Sequence, residues 1–182
     1  MKYFLEDIQK KFIEEIKLKY VFFWGHQPLK DGSISKSCLS QWWDCIFEID
    51  GVVYHSAEQY MMAEKALLFG DLQTRDKILQ SRHPKNSKNL GKSVLGFSEE
   101  LWVEKRFNIV KKGNLAKFSQ NNDLKLFLLQ TQDSILVEAS PTDNIWGIGL
   151  AAEDADAENP TRWKGLNLLG FALMEVRDEL KS

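Results

Sequence analysis

Cys45-Ile46-Phe47-Glu48-Ile49-Asp50-Gly51-Val52-Val53-Tyr54-His55-Ser56-Ala57-Glu58-Gln59-Tyr60-Met61-Met62-Ala63-Glu64-Lys65-Ala66 changes its periodicity halfway. Its first part is two short apolar, β-branched runs around Asp50-Gly51, a pair that accepts the positive φ angles of a tight hairpin turn. Ser56 then supplies a side-chain cap, and the spacing predicts a helix from Ala57 to Phe69, closed by Gly70. On that helix Glu58, Met61, Met62 and Lys65 fall at i, i+3, i+4 and i+7, one face. The carboxylate and the amine stand about 10 Å apart along the axis, too far for a direct ion pair. Two readings stand. Charges that flank an apolar patch suit a ligand-binding face, because buried charges need partners. Alternatively, Glu58 is a first-turn acid favoured by the helix dipole and Lys65 is solvated.

Toward the N-terminus, Leu5, Ile8, Phe12 and Ile16 predict an amphipathic helix within residues 5–19, Tyr20–Trp24 predicts a strand, and His26–Ser40 reads as a loop. Toward the C-terminus, Asp71–Gln80 predicts a helix, and Ser98-Glu99-Glu100 starts a long one that runs through Phe118 despite Gly113. Leu124–Leu129 predicts a short helix, Ile135–Ala139 a strand, Ser140–Lys164 mostly loop, and Leu166–Leu180 a last helix. The fold expected is α+β: a single compact, helix-rich domain over residues 1–182, with its core about 20–180 and a few short antiparallel strands.

A chain of 182 residues, 43% hydrophobic and 27% charged, is ordinary for one globular domain. No apolar run approaches the roughly 18 residues of a membrane span, and the charged N-terminus lacks the pattern of a secretory signal. Two cysteines do not make a disulfide scaffold, so a reducing cytosol is the expected compartment. A net charge of −2 argues against non-specific nucleic-acid binding by the whole surface, while leaving room for a local basic site.

The three histidines are scattered and neither cysteine sits in a C-x-x-C, so no metal site is expected. Cys45 reads as a small buried residue. Gly147-Ile148-Gly149-Leu150-Ala151-Ala152 has the loose form of a dinucleotide fingerprint, but the acidic stretch Glu153–Glu158 and Pro160 follow where an apolar-faced helix is required. Its glycines serve a close backbone approach or a tight turn. The segment Glu138 to Gly149 gathers acids, hydroxyls, an amide, Trp146 and bare backbone, which suits a sugar or a base and equally suits plain turn chemistry. Trp102 and Arg106, i and i+4 on the long helix, make an aromatic platform beside a phosphate-pairing guanidinium, or a core residue with a solvated neighbour.

Together these stretches resemble the NADAR superfamily of YbiA-like proteins. The likeness runs in order from about residue 20 to 180: Phe22-Phe23-Trp24-Gly25-His26, Asp50 to Ala66, Leu101-Trp102 with Arg106-Phe107, Lys117 to Asn121, Leu136 to Leu150, Gly165 to Gly170, and Leu173 to Arg177. The resemblance implies hydrolysis of N-glycosidic bonds in one of two substrate classes, ribosylaminopyrimidine phosphates of early riboflavin synthesis or ADP-ribose attached to guanine. It implies catalytic or substrate-holding roles for Glu58, Trp102 and Asp143, and matches Lys65 to the family's helix amine, which binds phosphate or attacks the opened ribose as a Schiff-base amine. Arg106, Glu138, Trp146, Gly147, Gly149 and Asn167 complete the expected substrate-binding set. Where the family often has His after the helix glutamate, this chain has Gln59. No cofactor and no metal are expected. The expected partner is a small nucleotide-like molecule or an ADP-ribosylated guanine in nucleic acid, with no membrane. A non-catalytic module that holds ADP-ribose or an NAD metabolite is the rival reading.

Overall fold

The computed structural model describes residues 1–181. Its elements are α1 (Leu5–Ile13), β1 (Tyr20–Phe23), β2 (Phe47–Ile49), β3 (Val52–Tyr54), α2 (Ala57–Leu68), α3 (Leu72–Gln80), α4 (Pro84–Lys92), α5 (Glu99–Gln120), α6 (Asn122–Gln130), β4 (Ile135–Glu138) and α7 (Leu168–Lys181), with 3₁₀ turns at Lys36–Leu39 and Pro160–Arg162. The fold is α+β and helix-rich. The contacts gather the chain into two compact units: Gln41–Lys125, and Met1–Ser40 with the chain from Leu126 onward. Among the described residues no helix is long and apolar enough to cross a membrane.

In the unit Gln41–Lys125 the hairpin forms as its turn chemistry requires. Phe47, Glu48 and Ile49 pair antiparallel with Tyr54, Val53 and Val52, and Asp50 and Gly51 take φ of +53° and +78°. Alternation points Phe47 and Tyr54 inward, where their rings stack at 5.7 Å and Tyr60 of α2 meets Tyr54 edge-on at 5.1 Å. Gly113 lets α5 approach this cluster, since a Cβ there would enter the Tyr60 ring. The Ser56 side chain caps α2 by accepting from Gln59 N at 3.1 Å. The Gln59 side chain accepts from His55 N at 2.8 Å and donates to Ile78 O at 3.0 Å and Ser81 O at 2.7 Å, tying α2 to the end of α3. The Gln59 amide is thus a structural clasp.

In the other unit, β1 and β4 are parallel neighbours, with Tyr20 opposite Ile135 and Phe23 opposite Glu138. This corrects the expectation of antiparallel strands throughout: the two strands lie more than a hundred residues apart, and a long helical excursion permits the parallel arrangement a hairpin forbids. α7 packs on β4, and Gly170 is the close approach, because a Cβ there would collide with Leu136 O. Arg177 is buried with its Nη1 donating to Thr131 Oγ1 and Ser134 O, both at 2.8 Å.

Three boundaries differ from the sequence reading. α1 stops at Ile13 because Glu15 turns left-handed (φ +55°), leaving Ile16 exposed. α4 is a helix where none was expected: its sequence is polar and lacks an apolar stripe, but His83 caps it, with Nδ1 accepting from Lys85 N at 3.2 Å, and Pro84 sits in the first turn. The last helix begins at Leu168, because Asn167 holds φ +53°.

Candidate functional site

Four of the ten singled-out residues lie in the unit Gln41–Lys125, all on α2 and α5. Glu58 stands in the first turn of α2, where the helix dipole favours negative charge, and is only 3% exposed. Its backbone N–H donates to Gln41 O at 2.9 Å. Met61 and Met62 are buried beside it on the same face. Glu58 is thus the first-turn acid that one reading expected, and it is buried there.

Lys65 closes that face. Its Nζ donates to Gly91 O at 2.9 Å and lies 4.3 Å from the Phe97 ring centroid and 5.6 Å from that of Trp102. Burial pulls its ammonium below the ordinary lysine value, and the charge of Glu99 opposes that pull. Gly91 is needed here, since a Cβ would run into the Met62 side chain beneath the carbonyl that holds Lys65. Trp102 and Arg106, each 8% exposed, are both buried on α5, so the expectation of a solvated Arg106 does not hold. The structure thus brings Lys65 and Trp102 together, with Glu58 on the same helix face.

Sequence reading missed Phe97, which shares the lysine, and also Gln41 and Asn114. Asn114 has a recognisable signal: Val110, Asn114 and Phe118 follow at i, i+4 and i+8, all buried, so an amide occupies a core stripe of α5. Cys45 is buried as expected, and burial pushes its thiol up.

The remaining six residues lie in the other unit. Asp143 uses its Oδ1 to accept from Ile145 N at 2.9 Å and Trp146 N at 2.8 Å, an Asx turn that shapes the loop presenting the half-buried Trp146. Gly147 passes so close to Glu138 O and Asp143 O that a Cβ would stand 2.7 and 3.0 Å from them. Gly149 has φ +68°, and a Cβ there would strike the Asn144 and Lys164 side chains. These are turn glycines, with no strand–helix fingerprint around them. Glu138 ends β4, and its carbonyl accepts from Ile148 N at 2.9 Å. Asn167 is fully buried, with Nδ2 donating to Leu136 O at 2.9 Å and Oδ1 accepting from Glu138 N at 3.0 Å. Its side chain thereby does for β4 what a neighbouring strand would do. That use of both amide ends makes Asn167 a support of β4 and of the turn that follows it. Removing it leaves two buried backbone groups unpaired and places a less tolerant residue at positive φ. Asn167→Ala is expected to cost about 3 kcal/mol. In thermal unfolding that is a midpoint lower by roughly 6–12 °C.

The acidic stretch 153–158 is a run of turns fastened by Trp163, whose Nε1 donates to Ala157 O at 2.8 Å. Among the described residues no group of three His, Cys, Asp or Glu side chains stands close enough to hold a metal ion.

Comparison with known proteins places the chain in a family. The family model described as NADAR domain matches residues 22–181. The chain is 45% identical over 166 residues to N-glycosidase R617 of Acanthamoeba polyphaga mimivirus, covering 88% of this chain and 96% of that protein. It is 29% identical over 133 residues to N-glycosidase YbiA of Escherichia coli strain K12, covering 73% and 74%. The NMR structure of the E. coli protein YbiA superposes with a TM-score of 0.71 at 25% identity, covering 90% of this chain and 85% of that one. The chain belongs to the NADAR domain family and, like these relatives, is an enzyme of the N-glycosidase kind.

Proposed function

We propose that this enzyme hydrolyses the bond between ribose C1′ and the nitrogen of a base or base-like amine, in a phosphorylated ribosylaminopyrimidine or in ADP-ribosyl-guanine. The observation that carries the reading is the face of α2: a buried carboxylate at the N-terminal turn, and two turns further on an amine seated against Phe97 and Trp102.

Cleavage of a ribosylamine needs proton transfer and a way to stabilise positive charge at C1′. Glu58 gives a proton to the ring oxygen, and the ring opens to an iminium at C1′. Lys65, whose lowered pKa raises its share of neutral amine, adds to C1′ through Nζ. The leaving nitrogen takes up a proton and departs as the free amine. Water then adds to the imine carbon, which releases the sugar as its aldehyde and restores Lys65. Trp102 supplies a flat apolar wall, and Arg106 pairs with phosphate. No step in this scheme calls for a cofactor or a metal. The enzyme class of the relatives displaces the non-catalytic reading.

One surface favours guanine within nucleic acid as a second form of substrate. Lys77, Arg82, Lys85, Lys88 and Lys92 are exposed along α3 and α4, in a chain whose net charge is −2. The test offers the enzyme three molecules: the ribosylaminopyrimidine phosphate, ADP-ribosyl-guanosine, and an oligonucleotide that carries ADP-ribosyl-guanine. Mass spectrometry follows released base and sugar. Release from at least one is expected, and none from any of them overturns the proposal.

A further inference from the structure

Gln41 precedes the two tryptophans Trp42-Trp43 and is 6% exposed, an unusual burial for a glutamine. Its carbonyl accepts the N–H of Glu58, which fixes it beside the first turn of α2. Its side-chain orientation is decided by Asn114, a fully buried residue whose own amide is set by donating to Val110 O at 2.9 Å. The same Asn114 Nδ2 donates to Gln41 Oε1 at 2.7 Å, so the rotated glutamine would set two donors against each other. Gln41 therefore holds its Nε2 as a donor, and that buried atom has no hydrogen-bond partner among the described residues. A buried donor left unpaired is uncommon and marks a place where something else arrives.

We propose that Gln41 contacts substrate: its Nε2 donates to a hydroxyl oxygen of the ribose, with Asn114 as the residue that positions it. The ligand chemistry follows from the neighbourhood. The proposed reaction brings C1′ to Glu58 and engages the ring oxygen with the Glu58 proton, so the next acceptors around C1′ are the ribose hydroxyl oxygens. The idea rests on the ribosyl substrate of the proposed function.

The test pairs Gln41→Met, which keeps length and loses the donor, with altered substrates. Wild type and Gln41→Met are compared on the ribosyl substrate and on its 2′-deoxy and 3′-deoxy analogues. The variant is expected to lose about tenfold in kcat/KM on the ribosyl substrate, the size of one neutral hydrogen bond, and almost nothing on the analogue that lacks the partner hydroxyl. A purely structural role would cost all three substrates equally, and that result, or no loss on any, overturns the inference. Calorimetric binding of ADP-ribose gives a readout without turnover. If no substrate is cleaved, the reaction assigned above fails, and Gln41 is judged on affinity: weakening by about tenfold supports the contact, and unchanged affinity overturns it.

Discussion

Glu58→Gln is expected to lower kcat by about 10²–10⁴-fold, the usual contribution of a positioned acid or base, while the protein stays folded. The substitution keeps the shape of the side chain and the backbone bond from Glu58 N to Gln41 O, so the entry into α2 is undisturbed. What it removes is the proton that must reach the sugar ring and the negative charge that offsets the cation at C1′. Burial sharpens the effect: with Glu58 only 3% exposed, bulk water is poorly placed to substitute for the carboxylate. Affinity for substrate should change far less than turnover, because the interaction is made chiefly in the transition state. Steady-state kinetics beside a thermal melt separates the two. A variant that keeps kcat within about tenfold of wild type removes Glu58 from the acid/base role.

The hairpin, its turn and the start of α2 were legible because each is settled by neighbours in sequence: Asp50-Gly51 sets the turn, and Ser56 caps the helix. The face that carries Glu58, Met61, Met62 and Lys65 follows from helical spacing alone. Other features depend on residues far apart in the chain. The parallel pairing of β1 with β4 has no local signature. Helix α4 hides because a polar helix shows no apolar period, and its cap His83 with Pro84 is a weak signal by itself. The structural work of Asn167 hides for a related reason: both ends of its amide are used on β4, about thirty residues back in the chain. Gln41 gave no sign in the sequence, because its importance comes from meeting Asn114, which is 73 residues away. Burial of Arg106 carried the same signal as Asn114, because Trp102, Arg106, Val110, Asn114 and Phe118 follow one another at intervals of four along α5.

Lys65→Arg should be almost as damaging as losing the amine altogether, with turnover down by about 10³-fold. Arginine keeps the positive charge and donates well to phosphate, but it stays protonated and cannot add to C1′. A lysine that only bound phosphate would tolerate arginine, so this substitution separates the two roles that the sequence left open. The surroundings favour the nucleophile. Phe97 at 4.3 Å and Trp102 at 5.6 Å give Nζ an apolar setting, and burial pulls its pKa down from 10.5. The same shift has a stability signature. Lys65 binds its proton less tightly in the folded protein than in the unfolded chain, so the unfolded state holds more protons between the lowered value and 10.5. The contribution of this group to stability therefore rises with pH across that window, and below it the cost of the buried charge is present in full. Lys65→Met removes that cost together with the bond to Gly91 O, so the pH dependence of its unfolding should flatten on the alkaline side while turnover is lost. Borohydride added during turnover gives the direct readout. It should reduce the imine to a stable amine and add the mass of the sugar to the peptide that contains Lys65, in wild type and not in Lys65→Arg. Full turnover by Lys65→Arg, with no trapped adduct in wild type, would return Lys65 to phosphate binding and leave the cation at C1′ to Glu58 and water.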